Sequence, residues 1–62
     1  MTVLFNINGY LLTYNPFSKT YFIETKHGDC IFYTESKIKA KNRYKSILSC
    51  YNNITDETLK AI

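Results

Sequence analysis

Apolar side chains recur at every second position in the first half of the chain, which is the period of a β-strand with one buried face. Residues 2–7 show this alternation, and the Asn8-Gly9 pair after them is the sequence most typical of a two-residue hairpin turn. A second strand therefore begins at Tyr10. The facing pairs are then Ile7/Tyr10, Phe5/Leu12 and Val3/Tyr14 on one face, and Asn6/Leu11 and Leu4/Thr13 on the other.

Two further turns extend the hairpin to a meander. Residues 15–18 place Pro16 where a turn favours its fixed φ, so a third strand runs from Lys19 to Lys26. A turn at His27-Gly28, or a longer loop of residues 26–29, leads to a fourth strand at residues 30–33. The pairs expected from tight turns are Leu12/Tyr21 and Tyr10/Ile23, then Ile23/Phe32 and Thr25/Cys30.

The two faces of this sheet differ in composition. The first is the more apolar, and we expect a helix to cover it; it carries Val3, Phe5, Ile7, Tyr10, Leu12, Tyr14, Tyr21, Ile23, Cys30 and Phe32. The second face carries a row of apolar residues where an uncovered face is normally polar. This row is a candidate partner-binding surface, with the residues Leu11, Phe22, Ile31 and Tyr33.

Residues 34–51 have the spacing of an amphipathic helix, capped by Thr34 or Ser36. Its apolar stripe consists of Ala40, Tyr44, Ile47, Leu48 and Tyr51. A short second helix follows, with Thr55 as its cap and Ile54 placed to pack against Leu59. We therefore predict a single α+β domain over residues 1–62: a four-stranded antiparallel β-meander packed on one α-helix, plus a short C-terminal helix. The short helix could alternatively cover part of the second face.

The length of 62 residues permits only a small core, and domains of this size often depend on a partner chain, so a dimer is one alternative. No stretch is apolar for long enough to span a membrane, and the first residues lack the pattern of a secretion signal. We therefore expect a cytoplasmic protein whose two cysteines, Cys30 and Cys50, are buried free thiols, although a disulfide between strand and helix is an alternative.

Residues suited to catalysis are few. The one histidine, His27, lies close to Cys30 in sequence, but a nucleophile and base so near each other are rarely held in a reactive geometry. Two cysteines and one histidine also lack the spacing of a zinc site. The sequence therefore predicts a non-enzymatic protein with no catalytic residues, no cofactor and no metal.

Positive charge is concentrated on the predicted helix. The formal net charge is +3, and the helix carries four candidate electrostatic contacts: Lys39, Lys41, Arg43 and Lys45. Such a cluster can bind phosphates or an acidic protein surface, while a solvated helix face is the alternative interpretation.

Residues 21–33 together with the helix start resemble the sheet-plus-helix pattern of integrase arm-binding and AP2-type domains. The resemblance implies DNA reading by basic residues on the open sheet face. Here the corresponding positions are Phe22, Glu24, Ile31 and Tyr33, so that role is not transferred to any of them. In size and composition the chain is also similar to small accessory proteins of phages and mobile elements, including inhibitors of the anti-CRISPR type.

We therefore predict a small non-enzymatic binding protein, in type a phage or mobile-element accessory protein, that inhibits or modulates a host protein or nucleoprotein complex by occupying its surface. One alternative is a nucleic-acid-binding protein that uses the basic helix of residues 36–51. Another is a homodimer closed by the second face. No membrane partner is expected.

Overall fold

The computed structural model describes residues 1–51 and 53–62. Four strands form one antiparallel sheet in sequence order, and the longer helix packs across one face of it. The predicted α+β meander is thereby confirmed. The elements are β1 (Thr2–Ile7), β2 (Tyr10–Asn15), β3 (Thr20–Thr25), β4 (Cys30–Thr34), α1 (Lys37–Leu48) and α2 (Asp56–Ala61).

The first hairpin turns at Asn8 and Gly9, whose φ angles of 55° and 84° are both positive, as a tight hairpin turn of the mirror-image type requires. The predicted pairs Ile7/Tyr10, Phe5/Leu12 and Asn6/Leu11 are confirmed. Beyond them the register shifts, because Leu4 is an extra residue between Val3 and Phe5. Two predicted pairs are therefore wrong: Thr13 faces Val3 rather than Leu4, and Tyr14 faces Thr2 rather than Val3.

This β-bulge exchanges the sides of Val3 and Leu4. Opposite Thr13, Val3 lies on the face away from the helices, whereas Leu4 joins Phe5 and Tyr14 in a cleft on the α1 side. A bulge inserts one unpaired residue and so reverses the alternation beyond it. The predicted faces of these two residues were consequently wrong.

The β2–β3 connection is a four-residue loop, longer than the tight turn that was predicted. The Asn15 side-chain oxygen accepts hydrogen bonds from the backbone N–H groups of Phe17 (2.9 Å) and Ser18 (3.4 Å), and Lys19 has a positive φ of 54°. The predicted pairs are wrong by two residues. The observed pairs are Leu12/Ile23 and Tyr10/Thr25. A shift of two keeps every side chain on its predicted face.

The β3–β4 connection uses the longer predicted loop, residues 26–29, and pairs Ile23 with Phe32 as expected. Ile31 is a second extra residue, so Cys30 faces Glu24 rather than Thr25. The alternation therefore assigned Cys30 to the wrong face. Both cysteines are free and exposed, which corrects the expectation of buried thiols.

α1 is shorter than the predicted helix of residues 34–51. Ser36 is the cap: its hydroxyl accepts a hydrogen bond from the Lys39 N–H at 3.3 Å, and the Thr34 hydroxyl accepts one from the Ser36 N–H at 3.2 Å. Tyr51 lies beyond the helix, and its hydroxyl donates to that of Tyr10 at 2.8 Å. The stripe is confirmed within α1, since Ala40, Tyr44 and Leu48 are buried and Ile47 packs against the same core, and it is wrong at Tyr51.

Both helices contribute to the same core. The buried residues are Leu12 and Ile23 from the sheet, Ala40, Tyr44 and Leu48 from α1, and Ile62 after α2. Thr55 caps α2 as predicted, and Ile54 and Leu59 pack on this core. The alternative in which α2 covers the second face is therefore wrong, and among the described residues both helices lie on the other side of the sheet.

Candidate functional site

One row of directly paired residues crosses the sheet face that the helices leave open. Val3 faces Thr13, Thr13 faces Phe22, and Phe22 faces Tyr33. We call these four residues the central row. The Phe22 and Tyr33 rings are 6.3 Å apart between centroids, a normal distance for interacting aromatic side chains.

The ends of the central row are accessible to solvent, whereas its middle is covered. Tyr33 is 70% exposed and Val3 is 53% exposed, while Thr13 is only 3% exposed. The Thr13 hydroxyl lies 3.4 Å from the Met1 sulfur, so the Met1 side chain lies over the row and extends its apolar surface. Apolar surface that is continuous and accessible is the usual mark of an interaction site.

The neighbouring row is more polar. It consists of Asn6, Leu11, Glu24 and Cys30. Glu24 is the only charged residue in the four described strands, which means that the strands contribute no lysine or arginine to the open face. An anionic partner would find no counter-charge on the strands.

Two of the four residues predicted for the partner-binding surface lie together. Phe22 and Tyr33 are adjacent in the central row, whereas Leu11 lies in the neighbouring row opposite Glu24. Ile31 is 47% exposed but is the bulged residue without a partner in β3. The prediction that these four residues form one row is therefore wrong.

The sequence interpretation missed Val3 and Met1. Both became part of this surface because of the bulge at Leu4. A signal was present: Val3, Leu4 and Phe5 are three consecutive apolar residues, and such a run interrupts the alternation expected of a strand with one uncovered face.

A further aromatic residue stands at the tip of the β2–β3 loop. Phe17 is 97% exposed, although the hydrogen bond from its N–H to Asn15 fixes the backbone of the loop. A fully accessible ring on an ordered turn contributes little to folding and is available for contact with another molecule.

The four residues of the predicted basic cluster do not lie together, because they are on different flanks of α1. Lys39 and Arg43 lie on the β4 side of α1, beside Phe32. Lys41 lies on the opposite flank with Lys37, beside the aromatic residues of β1 to β3. Lys45, the last candidate, is half-buried in the final turn.

The tyrosines with perturbed pKa values have structural roles. Burial raises the pKa of Tyr44, and a hydrogen bond from the Ile7 N–H partly offsets this effect. The hydrogen bond that Tyr51 donates to Tyr10 raises the pKa of Tyr51. The Cys30 thiol donates a hydrogen bond to the backbone carbonyl of Phe32.

Comparisons of the chain with protein-family models, with curated proteins and with solved structures find no match. Within residues 1–51 and 53–62, no helix is both long and apolar enough to cross a membrane. In the same part of the chain, no group of three or more His, Cys, Asp and Glu side chains could hold a metal ion.

Proposed function

We propose that this protein is a non-enzymatic binding protein that occupies the surface of a partner protein with the open face of its sheet. The observation that carries the proposal is the central row, an apolar strip with an exposed tyrosine at one end and a valine at the other, on a face that both described helices leave uncovered.

The chemistry of this face favours a protein over a nucleic acid. Sheet surfaces that bind nucleic acid combine aromatic side chains with a positively charged groove, and the four described strands supply no lysine or arginine. Protein interfaces instead place aromatic and aliphatic anchors at a centre depleted of charge, with polar residues at the rim. Tyr33 and Phe22 correspond to such anchors, and Asn6 and Glu24 to such a rim.

A surface of this kind acts by blocking. A small domain that buries its apolar face against a host protein or nucleoprotein complex excludes the natural ligand of that complex, and no chemical step is required. We infer such an inhibitory or modulatory role, in keeping with the accessory proteins of phages and mobile elements that the chain resembles in size and composition.

The test is site-specific photo-crosslinking in cells that naturally contain the protein. A benzoylphenylalanine replaces Tyr33 in one variant and Ile38 in a second. These positions form a matched pair, because they are 70% and 73% exposed but lie on opposite layers of the molecule, one in β4 and the other in α1.

The expected result is a covalent adduct with one partner protein from position 33 that is missing from position 38. Adding unlabelled wild-type protein should abolish the adduct, whereas a Phe22→Ala competitor that remains folded should compete less well. Adducts of equal yield from both positions would contradict the proposal. An adduct with a second copy of the same chain would instead assign the face to a homodimer.

A further inference from the structure

A second surface lies on the opposite layer, in the groove between α1 and β4. The groove has a volume of about 360 Å³ and is lined by Phe32, Lys39, Asn42, Arg43 and Ser46. All four helix residues among them are exposed. None of the described residues that line the groove carries a carboxylate, so its charge is not neutralised from within.

The four helix side chains form a compact array of hydrogen-bond donors. Lys39 and Arg43 are four residues apart, as are Asn42 and Ser46, and the two pairs are offset by three residues. On a helix both spacings bring side chains to within about 5–6 Å at their Cβ atoms. Ammonium, guanidinium, amide and hydroxyl groups therefore project from one small area.

Arg43 is held in position within this array. Its guanidinium carbon lies 4.9 Å from the centroid of the Phe32 ring, which is within the range of a cation–π contact. A guanidinium group that is stacked in this manner loses less conformational freedom when it binds an oxyanion, since its plane is already fixed.

We propose that this groove binds the phosphodiester backbone of a nucleic acid, independently of the protein-binding face. Lysine, arginine, asparagine and serine are side chains that donate to phosphate oxygens in protein–DNA complexes. The array extends from Lys39 to Ser46, about 10 Å along the helix axis. It can therefore contact more than one phosphate of a strand, where successive phosphates rise about 3.4 Å along a duplex.

The opposite flank of α1 has the same formal charge but a different environment. Lys37 and Lys41 have the same four-residue spacing, yet they adjoin Leu4, Phe5, Tyr14 and Tyr21. That cleft offers apolar surface where the β4-side groove offers amide and hydroxyl donors. Comparing the two flanks therefore distinguishes phosphate binding at a specific site from a general attraction to positive charge.

The test compares variants of equal net charge. Lys39→Gln/Arg43→Gln and Lys37→Gln/Lys41→Gln each remove two positive charges from α1, on opposite flanks. Fluorescence anisotropy with labelled single-stranded DNA, duplex DNA and RNA of random sequence is measured over a series of salt concentrations. Each variant is first shown to be folded by circular dichroism.

We expect the wild-type protein to bind at low salt, with a logarithm of affinity that falls linearly with log salt. The Lys39→Gln/Arg43→Gln variant should bind about tenfold more weakly or worse, and its salt slope should fall by about 1 for each lost contact. The Lys37→Gln/Lys41→Gln variant should change by less than about threefold. The relative affinities of the three probes identify the kind of strand.

Asn42→Asp provides a second test that does not disturb the Arg43 stack. It places a carboxylate in the groove with almost no change of shape, and Asn6→Asp makes the same charge change at an exposed residue of the sheet layer. Only Asn42→Asp should weaken binding. The proposal would be overturned if the two double variants, or the two Asn→Asp variants, lost equal affinity for nucleic acid. Absence of binding at low salt, or equally tight binding of poly-L-glutamate, would also overturn it.

Discussion

The buried hydroxyl of Tyr44 connects α1 to the first hairpin. It donates to the Tyr10 carbonyl at 2.6 Å and accepts from the Ile7 N–H at 3.1 Å. These two backbone groups flank the Asn8-Gly9 turn, so the Tyr44 hydroxyl forms one hydrogen bond with each strand next to the turn. The rest of the Tyr44 ring is fully buried and packs near Phe5.

Replacing Tyr44 with phenylalanine should destabilise the protein by about 1–3 kcal/mol, because the partly buried Ile7 N–H and Tyr10 carbonyl each lose a hydrogen bond. That is a large share of the stability available to a domain of this size. Urea unfolding of both proteins measures the difference. Tyr14→Phe, a change at a half-buried tyrosine, serves as the control, and an equal loss there would contradict this account of Tyr44.

The same tyrosine predicts a dependence on alkaline pH. Burial raises the pKa of Tyr44 in the folded state above its ordinary value of 10.0. Below about pH 10 the Tyr44 hydroxyl keeps its proton in both the folded and the unfolded state, and its contribution to stability is fully present. Above it the unfolded state releases the proton first, so stability is lost as the pH rises through the folded-state pKa. The stability difference between wild type and Tyr44→Phe should therefore be constant up to about pH 10 and shrink above it.

The two thiols should both react in the native protein. Cys30 and Cys50 are free and exposed, so a thiol reagent such as Ellman's reagent does not have to wait for unfolding. The expected result is the modification of two equivalents without denaturant, at rates that scale with reagent concentration. One equivalent or none before urea is added would show that a thiol is protected or that the two are joined.

At the scale of the elements, α1 depends on its cap. Ser36 accepts a hydrogen bond from the Lys39 N–H, and Ser36→Ala should cost about 1 kcal/mol of unfolding free energy. Ser46→Ala is the matched control, since Ser46 is an exposed residue inside the same helix where alanine is favoured. We expect that control to be neutral or slightly stabilising in urea unfolding, and a loss as large as that of Ser36→Ala would argue against the cap.

The elements themselves followed from local signals. The Asn8-Gly9 turn defined the first register near the turn, and the spacing of Ala40, Tyr44 and Leu48 defined the buried side of α1. Periodicity and turn chemistry act over a few residues, and the sequence reports them directly. The assignment of strands, helices and fold class was predictable for this reason.

The details of the candidate site were less predictable, because they depend on two β-bulges. The bulge at Leu4 brought Val3 to the open face, and the bulge at Ile31 moved Cys30 there. A bulge changes the facing of all residues beyond it, while the loop that misaligned β2 and β3 by two residues changed none. The apolar run of residues 3–5 was a visible hint, but the position of the extra residue depends on packing across the sheet.

At the scale of the whole molecule, the sheet separates two chemically distinct surfaces. The open face has an apolar central row and contains one acidic strand residue, Glu24, whereas α1 carries five of the eight basic residues, from Lys37 to Lys45. One molecule can therefore use both surfaces at once. A nucleoprotein complex is the kind of partner in which a protein surface and a phosphate backbone lie close together.

The free protein should be a monomer at low micromolar concentration. A stable interface buries about 800 Å² on each partner. The two larger dimensions of the molecule are 34 and 24 Å, so a homodimer of that area would bury Glu24 of both copies. The four described strands supply no lysine or arginine to pair with these two carboxylates, whereas a different partner protein can supply one. Sedimentation at two concentrations tests this expectation, with Tyr33→Lys as a comparison. If the wild type is a dimer and Tyr33→Lys restores the monomer, the open face is a self-association surface and the proposed binding of another protein is wrong.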